Sequence, residues 1–250
     1  MNYKNYNMDQ NEIIEKLKSD EEYYGEFGQQ FLSNSNIGVL LKNPLALKNP
    51  IEKTIPMLHG QYFHTAILEP DKLNRFKIID SSTRNTKAYK EMSGGELCML
   101  EKEVDNLLLM QEKLLSNDTV VSLIRGINVE YEKPAVKQLF NQWWKSKADV
   151  VNHDDKLVVD LKTTGDINNF KYSARKYNYD SQAWLYREQF GYDMVFIAID
   201  KNTHMIGIYD CSEDFYERGR LKAKEAAEVY EMFYQDPLFD QKQFVVTETL

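Results

Sequence analysis

Residues 147–164 read KADVVNHDDKLVVDLKTT, and this stretch predicts two neighbouring strands joined by a turn. Residues 148–151 and 157–163 are rich in valine, leucine and threonine, which favour strands. Residues 152–156, NHDDK, are of the polar kind that forms turns. The resulting hairpin would bring Asp149 on the first strand close to Asp160 on the second.

Asp160 and Lys162 share one face of the second predicted strand, because side chains alternate along a strand and Val159 and Leu161 face the other way. Two carboxylates beside an ammonium suit the hydrolysis of a phosphodiester. Carboxylates hold a hard cation such as Mg²⁺, and a lysine can hold or polarise the attacking water. Taken alone, an Asp-x-Lys pair is more often a surface ion pair, so its meaning depends on further motifs.

The remaining sequence predicts helices around a sheet. Apolar residues recurring at three- and four-residue steps predict helices at 11–18, 56–68, 96–115 and 181–190, one from near Ser35 to before Pro44, and one from Ser212 to about Tyr234. Short β-prone runs predict further strands at 127–131, 138–144, 195–199 and 205–209. Gly191 tolerates left-handed backbone and is expected to end the helix before it. The expected class is mixed α/β, with a central mixed sheet flanked by helices and a helical first half.

Composition limits the kind of partner and compartment. A net charge of -8 and a pI near 5.2 exclude a protein coated in positive potential, so DNA binding would need a local basic patch. Lys171, Arg175 and Lys176, just ahead of the helix at 181–190, are the expected patch.

The cysteines and the hydropathy pattern point to a protein inside the cell. Cys98 and Cys211 lack the clustered spacing of a zinc or iron–sulfur site. The N-terminal stretch MNYKNYNMDQNEIIEKLKSD lacks the apolar segment of a signal peptide, and no apolar run is long enough to span a bilayer. We therefore expect a cytoplasmic protein with no membrane partner.

Seven segments in order resemble the PD-(D/E)XK nuclease superfamily, and most closely its RecE-like and RecB-like exonuclease branch from phage recombination systems. The resemblance covers residues 35–190. The segments that carry it are LSNSNIGVLLKNP, HGQYFHTAILEP, STRNTKAYKEM, NVEYE, KADVV, VVDLKTTGDINNF and YDSQAWLYREQFG. It implies a restriction-endonuclease-like core in a single nuclease domain, 1–250, with a helical part at 1–126 and the catalytic sheet with its flanking helices at 127–250.

The resemblance also implies a metal site. Asp149 and Asp160 would bind Mg²⁺, for which Mn²⁺ can substitute, and His64 would be an additional ligand. Glu130 matches the upstream glutamate of the family pattern, although Glu132 is close enough to take that place. Without the family pattern, His64 on an apolar helical face would be read as a hydrogen-bonded core histidine.

Three further residues take catalytic roles by the same resemblance. Lys162 would assist the attacking water, and Gln182 and Tyr186 match a QxxxY element whose members lie on one face of a helix. That pair is expected to contact phosphate and to support the lysine.

The implied activity is a 5′–3′ exonuclease that degrades one strand of linear double-stranded DNA and leaves single strands for an annealing protein. RecE-like and lambda-type exonucleases form rings, so the resemblance implies a homo-oligomer and a phage or prophage protein in a bacterial host. Two alternatives stay open: a structure- or sequence-specific endonuclease, and an inactive module that binds DNA or protein. RNA also stays open as a substrate.

Overall fold

A computed structural model of the chain describes residues 8–241 and 244–245. The ends of the expected domain, residues 1–7 and 246–250, and residues 242–243 lie outside this part. The helices of the described residues are α1 (Gln10–Leu17), α2 (Asp20–Tyr24), α3 (Asn34–Lys42), α4 (Ile55–Leu68), α5 (Lys87–Ser93), α6 (Glu101–Leu115), α7 (Asp118–Ile124), α8 (Phe170–Lys176), α9 (Tyr179–Phe190) and α10 (Glu213–Tyr234). The strands are β1 (Ile78–Ile79), β2 (Met99–Leu100), β3 (Val129–Leu139), β4 (Gln142–Asn152), β5 (Leu157–Thr164), β6 (Asp193–Asp200) and β7 (Ile206–Asp210).

The main sheet has the order β3-β4-β5-β6-β7. Its neighbours are antiparallel except for β5 and β6, which run parallel. A parallel pair needs a crossover, and α8 and α9 supply it between these two strands. β1 and β2 form a separate parallel pair. The expected mixed α/β class, with a central mixed sheet flanked by helices, is confirmed.

Helices cover both faces of this sheet. Val158 packs with α3, α9 and α10 on one face, whereas Val159 packs with α4, α6 and α7 on the other. This alternation explains why β5 has apolar residues on both of its faces, as is typical of a strand buried on both sides. The polar residues of β5 therefore interrupt a core and are not a solvated face.

The predicted hairpin of β4 and β5 is confirmed, and its two strands separate at the end away from the turn. The paired residues run from Asn152↔Leu157 to Val150↔Val159. Beyond this point the backbone N–H of Leu161 donates to the Asp149 side chain, at 2.8 Å from Oδ2. This separation leaves room for side chains from both helical layers.

Three sequence expectations differ in their boundaries. The strand expected at 138–144 contains a turn instead, because Phe140 and Asn141 both have positive φ and connect β3 to β4. The helix expected from residue 96 starts at Glu101, since Met99 and Leu100 pair with β1. The helix expected from near Ser35 starts at Asn34, with Ser33 as its N-cap.

The expected ends of α9 and α10 agree with the structure. Gly191 follows α9 in the left-handed conformation, and the Ser212 side chain accepts the N–H of Phe215 at the start of α10. Among the described residues, no helix is long and apolar enough to cross a membrane.

Candidate metal and catalytic centre

The centre lies where β4 and β5 separate, on the wall of a cleft of about 2030 Å³. A helix from each layer contributes to it. α4 brings His64 from one face of the sheet, and α9 brings Gln182 from the other. Both side chains line the cleft, as do Asp149 and Lys162.

Three possible ligand atoms converge at this point. His64, Glu132 and Asp149 each offer one atom, and these atoms lie within 4.8 Å of one another. The Asp149 carboxylate is fixed through Oδ2, which accepts the N–H of Leu161 and lies 3.4 Å from Nδ1 of His64. An imidazole and two carboxylates form a donor set that fits a divalent cation.

The backbone orients the imidazole of His64. Its Nε2 lies 2.7 Å from the carbonyl oxygen of Leu161, which can only accept, so Nε2 carries a proton. Nδ1 then faces Asp149, as in metal sites where a ligating histidine donates its other N–H to a carbonyl. Burial lowers the pKa of His64, but the adjacent Asp149 carboxylate outweighs burial and raises that pKa to about 9.

Glu132, and not Glu130, belongs to this group. Tyr131 pairs with Val150 and Lys133 with Ala148, so Glu132 lies opposite Asp149. Its φ of 48° departs from strand geometry. Burial, and after it the Asp149 charge, raises the pKa of Glu132 to about 7.

The side chain of Glu130 is 52% exposed and lies outside the centre. It pairs with Lys133 and, at 2.7 Å, with Nε2 of His153. Of the two glutamates that the sequence left open for the upstream position, the geometry favours Glu132. The physical reason is the left-handed backbone at Glu132, which turns the later glutamate toward β4.

Asp160 and Lys162 lie together, as the strand alternation predicts. Nζ of Lys162 is 2.6 Å from Oδ2 of Asp160, and the amide of Gln182 donates to Oδ1 at 2.5 Å. Burial lowers the pKa of Lys162, but Asp160 outweighs it and the net shift is upward, so the side chain stays an ammonium. Asp160 is not among the three residues whose ligand atoms group together.

The QxxxY element supports the acids rather than the lysine. Gln182 contacts Asp160, and the Tyr186 hydroxyl donates to the carbonyl oxygen of Lys147 at 3.0 Å. Tyr186 is buried. It therefore holds β4 two residues before Asp149.

The predicted DNA-binding residues lie elsewhere. Lys171, Arg175 and Lys176 are exposed on α8 and none of them lines the cleft. Lys145 and Lys147 do line it. The sequence held a signal for them that was not used, because Lys145, Lys147 and Asp149 follow the two-residue period that puts side chains on one face of a strand.

The charges of the centre do not balance when His64 is neutral, as a metal ligand must be. Its acids are then Glu132, Asp149 and Asp160, and among the described residues the Lys162 ammonium is the cation that faces them. Buried like charges repel unless a cation offsets them. The donor set and this excess of negative charge together fit a bound divalent metal.

Comparisons with known proteins give one matching family and several similar solved structures. A family model described as "PDDEXK-like domain of unknown function (DUF3799)" matches residues 41–237. A crystal structure from Eubacterium rectale, described as a candidate exonuclease, is similar with a TM-score of 0.63 and 15% identity over 93% of this chain and 95% of that chain. A phage-related exonuclease from Haemophilus somnus 129PT has a TM-score of 0.38 and 12% identity over 82% and 95%. No curated protein sequence matches the chain.

Proposed function

The chain belongs to the PDDEXK-like family DUF3799, and from this premise we propose that it is a metal-dependent deoxyribonuclease. The observation that carries the proposal is the convergence of His64, Glu132 and Asp149 beside the Asp160–Lys162 pair on the cleft wall. Neither a catalytically inactive module nor a surface ion pair needs such an excess of buried carboxylates.

The proposed metal is Mg²⁺, with Mn²⁺ as a substitute, held by His64, Glu132 and Asp149 with Asp160 as a further oxygen ligand. When bound, such an ion supplies charge neutralisation at a phosphoryl oxygen and a bound water of lowered pKa. Carboxylate oxygens suit both Mg²⁺ and Mn²⁺, which supports the exchange of one ion for the other.

The residues of the chain then divide the work. The Lys162 ammonium donates hydrogen bonds to the attacking water, and the Asp160 carboxylate keeps that ammonium in place. Gln182 holds the other oxygen of Asp160. Tyr186 positions β4, and through it Asp149.

We propose linear double-stranded DNA as the substrate and 5′–3′ exonuclease action, supplying single strands to an annealing protein. The RecE-like motif series supports this choice, and the E. rectale protein of the same fold is described as a candidate exonuclease. A homo-oligomeric ring and a phage or prophage origin in the bacterial cytoplasm belong to the same proposal. His64 from the helical part and β4 and β5 from the sheet part meet in one centre, which supports a single domain spanning 1–250.

The deciding assay compares linear duplex DNA with covalently closed circles, in Mg²⁺, in Mn²⁺ and in EDTA. We expect digestion of the linear DNA alone, and only with a metal. Cutting of closed circles would instead identify an endonuclease, and digestion of neither form would identify a binding module. Substrates labelled at the 5′ or the 3′ end give the polarity, and an RNA duplex of the same sequence tests the sugar preference.

The assay includes Asp160→Asn and Lys162→Ala. Each should reduce turnover by about a thousandfold or more, because charge stabilisation at the reacting centre is lost. Lys156→Ala, which removes an exposed lysine from the turn of the same hairpin, is the matched control and should retain full activity. Activity in both Asp160→Asn and Lys162→Ala would mean that the centre is wrongly assigned.

A further inference from the structure

A second charged group lies on the cleft wall, where one carboxylate bridges two cations. Oδ1 of Asp20 lies 2.5 Å from Nζ of Lys147, and its Oδ2 lies 3.1 Å from Nη1 of Arg75. All three residues line the same cleft as His64 and Asp149. Both oxygens of Asp20 are thus used by cations that come from distant parts of the chain.

Each of the two cations has contacts besides the Asp20 carboxylate. The Lys147 side chain is only 7% exposed, and its ammonium lies 4.5 Å and 5.3 Å from the ring centroids of Tyr23 and Tyr24. Arg75 donates from Nη2 to the Thr65 hydroxyl at 2.8 Å. The cationic pair therefore has supports that remain if the carboxylate leaves.

Asp20 is much less confined. Its side chain is 41% exposed, and it is the first residue of α2, which is one five-residue turn. Its pair with Arg75 joins two partly exposed side chains, and ion pairs of this kind are weak. Another anion can therefore compete for the two cations.

The position of Lys147 relates this group to the metal centre. Lys147 and Asp149 are two residues apart on β4, which corresponds to about 7 Å along a strand. Both line the cleft. That separation is close to the spacing of neighbouring phosphates along an extended nucleic acid strand, so an anion at Lys147 would be adjacent to one at the metal centre.

We propose that Arg75 and Lys147 form a phosphate subsite for the nucleic acid strand, and that Asp20 occupies this subsite in the free protein. The proposal rests on the proposed nuclease function. A phosphodiester carries one negative charge, like the carboxylate, so the exchange keeps the charge balance while Asp20 moves into solvent. Arginine and lysine both recognise phosphate, the former through a planar fork of donors.

The test measures binding of labelled DNA oligonucleotides by fluorescence anisotropy in EDTA, so that no turnover is needed. Asp20→Asn removes the competing charge and keeps the shape, and should tighten binding about fivefold, the effect of one or two exposed ion pairs. Glu21→Gln is the matched control: it makes the same charge change on the same helix at an exposed residue outside the cleft lining. We expect it to change affinity less than twofold.

Two further variants show whether the cations are responsible. Arg75→Gln and Lys147→Gln should each weaken binding, lower the salt dependence by about 0.7 in the logarithmic slope for single strands, and abolish the gain from Asp20→Asn. Because Arg75 is 42% exposed, Arg75→Gln should fold and its DNA affinity can be measured even if the variant of the buried Lys147 fails to fold. Oligonucleotides with a 5′-phosphate and with a 5′-hydroxyl show which phosphate binds. If the subsite takes a terminal phosphate, Asp20→Asn should tighten binding only of the 5′-phosphorylated oligonucleotide. If it takes a backbone phosphate, binding of both should tighten.

Equal effects of Asp20→Asn and Glu21→Gln would overturn the subsite, as would a gain that persists without Arg75. No DNA binding by either wild type or Asp20→Asn would overturn it too. Failure of the nuclease proposal looks different: Asp20→Asn would still tighten binding, but linear DNA would survive in Mg²⁺ and Mn²⁺.

Discussion

Two buried charge clusters share α4 and differ in how their charges balance. One is the metal and catalytic centre reached by His64. The other surrounds Glu103 on α6, where Arg84 donates to both carboxylate oxygens at 2.7 Å and 2.6 Å. Nε2 of His59 lies 3.2 Å from the same carboxylate, which also accepts the N–H of Leu100 at 3.0 Å.

The Glu103 cluster is closed. One carboxylate faces one guanidinium and accepts the backbone N–H of Leu100, and the imidazole of His59 lies close to it. Burial raises the pKa of Glu103, but the Arg84 hydrogen bonds outweigh it and lower the pKa to about 2. This arrangement has no surplus of negative charge that a bound cation would offset. It acts as a clamp between α6 and the segment before α5.

The centre at His64 is open by contrast. With His64 neutral, Glu132, Asp149 and Asp160 share one ammonium, and the pKa of Glu132 is raised to about 7, whereas that of Glu103 is lowered. Burial and ion pairing alone therefore do not mark a functional site. An unbalanced excess of one charge does mark such a site, because the repulsion among buried like charges must be offset by a ligand of opposite charge.

The largest expected effect on stability comes from removing the charge of the Glu103 cluster. Glu103→Gln should lower the free energy of unfolding by about 3 kcal/mol, because the partly buried Arg84 guanidinium is left without its counter-charge. Because the pKa of Glu103 is depressed, its contribution is complete above pH 4.5 and is lost as the pH falls through about 2. Urea unfolding of the variant and of the exposed control Glu101→Gln measures the effect.

Metal affinity is the second readout for that variant. A closed clamp has no part in cation binding, so Glu103→Gln should bind Mg²⁺ as the wild type does, measured below its melting temperature. A stability loss under 1 kcal/mol, or a weakened metal site, would remove the distinction between the clusters.

The second prediction tests the open cluster with a pair of glutamates. Mg²⁺ at a hundred times its Kd should stabilise the wild type by about 2.7 kcal/mol, since it binds only the folded chain. Glu132→Gln should lose most of this gain, whereas Glu130→Gln, two residues away but outside the centre, should keep it. Without metal, Glu132→Gln should be no less stable than the wild type, because it removes a repulsion from Asp149.

Thermal unfolding across a Mg²⁺ titration and in EDTA measures these shifts. Equal responses of the two glutamate variants would place the ligand elsewhere, and a large metal-free destabilisation of Glu132→Gln would mean that this centre is a scaffold like the Glu103 cluster.

Local patterns predicted the parts of the molecule that depend on neighbours in sequence. The hairpin of β4 and β5 and the shared face of Asp160 and Lys162 follow from strand alternation and turn residues. The end of α9 follows from the left-handed tolerance of Gly191. These features need no knowledge of distant contacts.

The rest depends on backbone detail and on long-range packing. A positive φ at Glu132 selects it over Glu130, and no composition rule indicates such a backbone for a glutamate within a strand. The sequence does not predict the turn at Phe140 and Asn141, because the aromatic residues around it favour a strand. The contact of Asp20 with Lys147 joins residues 127 positions apart, which no periodicity relates.

The last and smallest expected effect compares two tyrosines that each hydrogen-bond to the backbone beside a cluster. The hydroxyl of Tyr89 accepts the N–H of Cys98 at 2.9 Å near Glu103, and that of Tyr186 donates to the carbonyl of Lys147 near Asp149. Tyr186→Phe should cost about 1 kcal/mol of stability, because it removes one buried hydrogen bond. Tyr89→Phe should cost at least as much, because the Tyr89 hydroxyl also donates to the carbonyl oxygens of Glu96 and Cys98.

Only Tyr186→Phe should slow DNA hydrolysis, by about tenfold in kcat, because small displacements of a ligand-bearing strand reduce the rate of a positioned reaction. Turnover of both variants is measured well below their melting temperatures, with Tyr89→Phe as the control for lost stability. If both variants slow hydrolysis equally, Tyr186 acts only through the fold. If Tyr186→Phe alone does so, the open cluster depends on the exact placement of β4 in a way that the closed clamp does not.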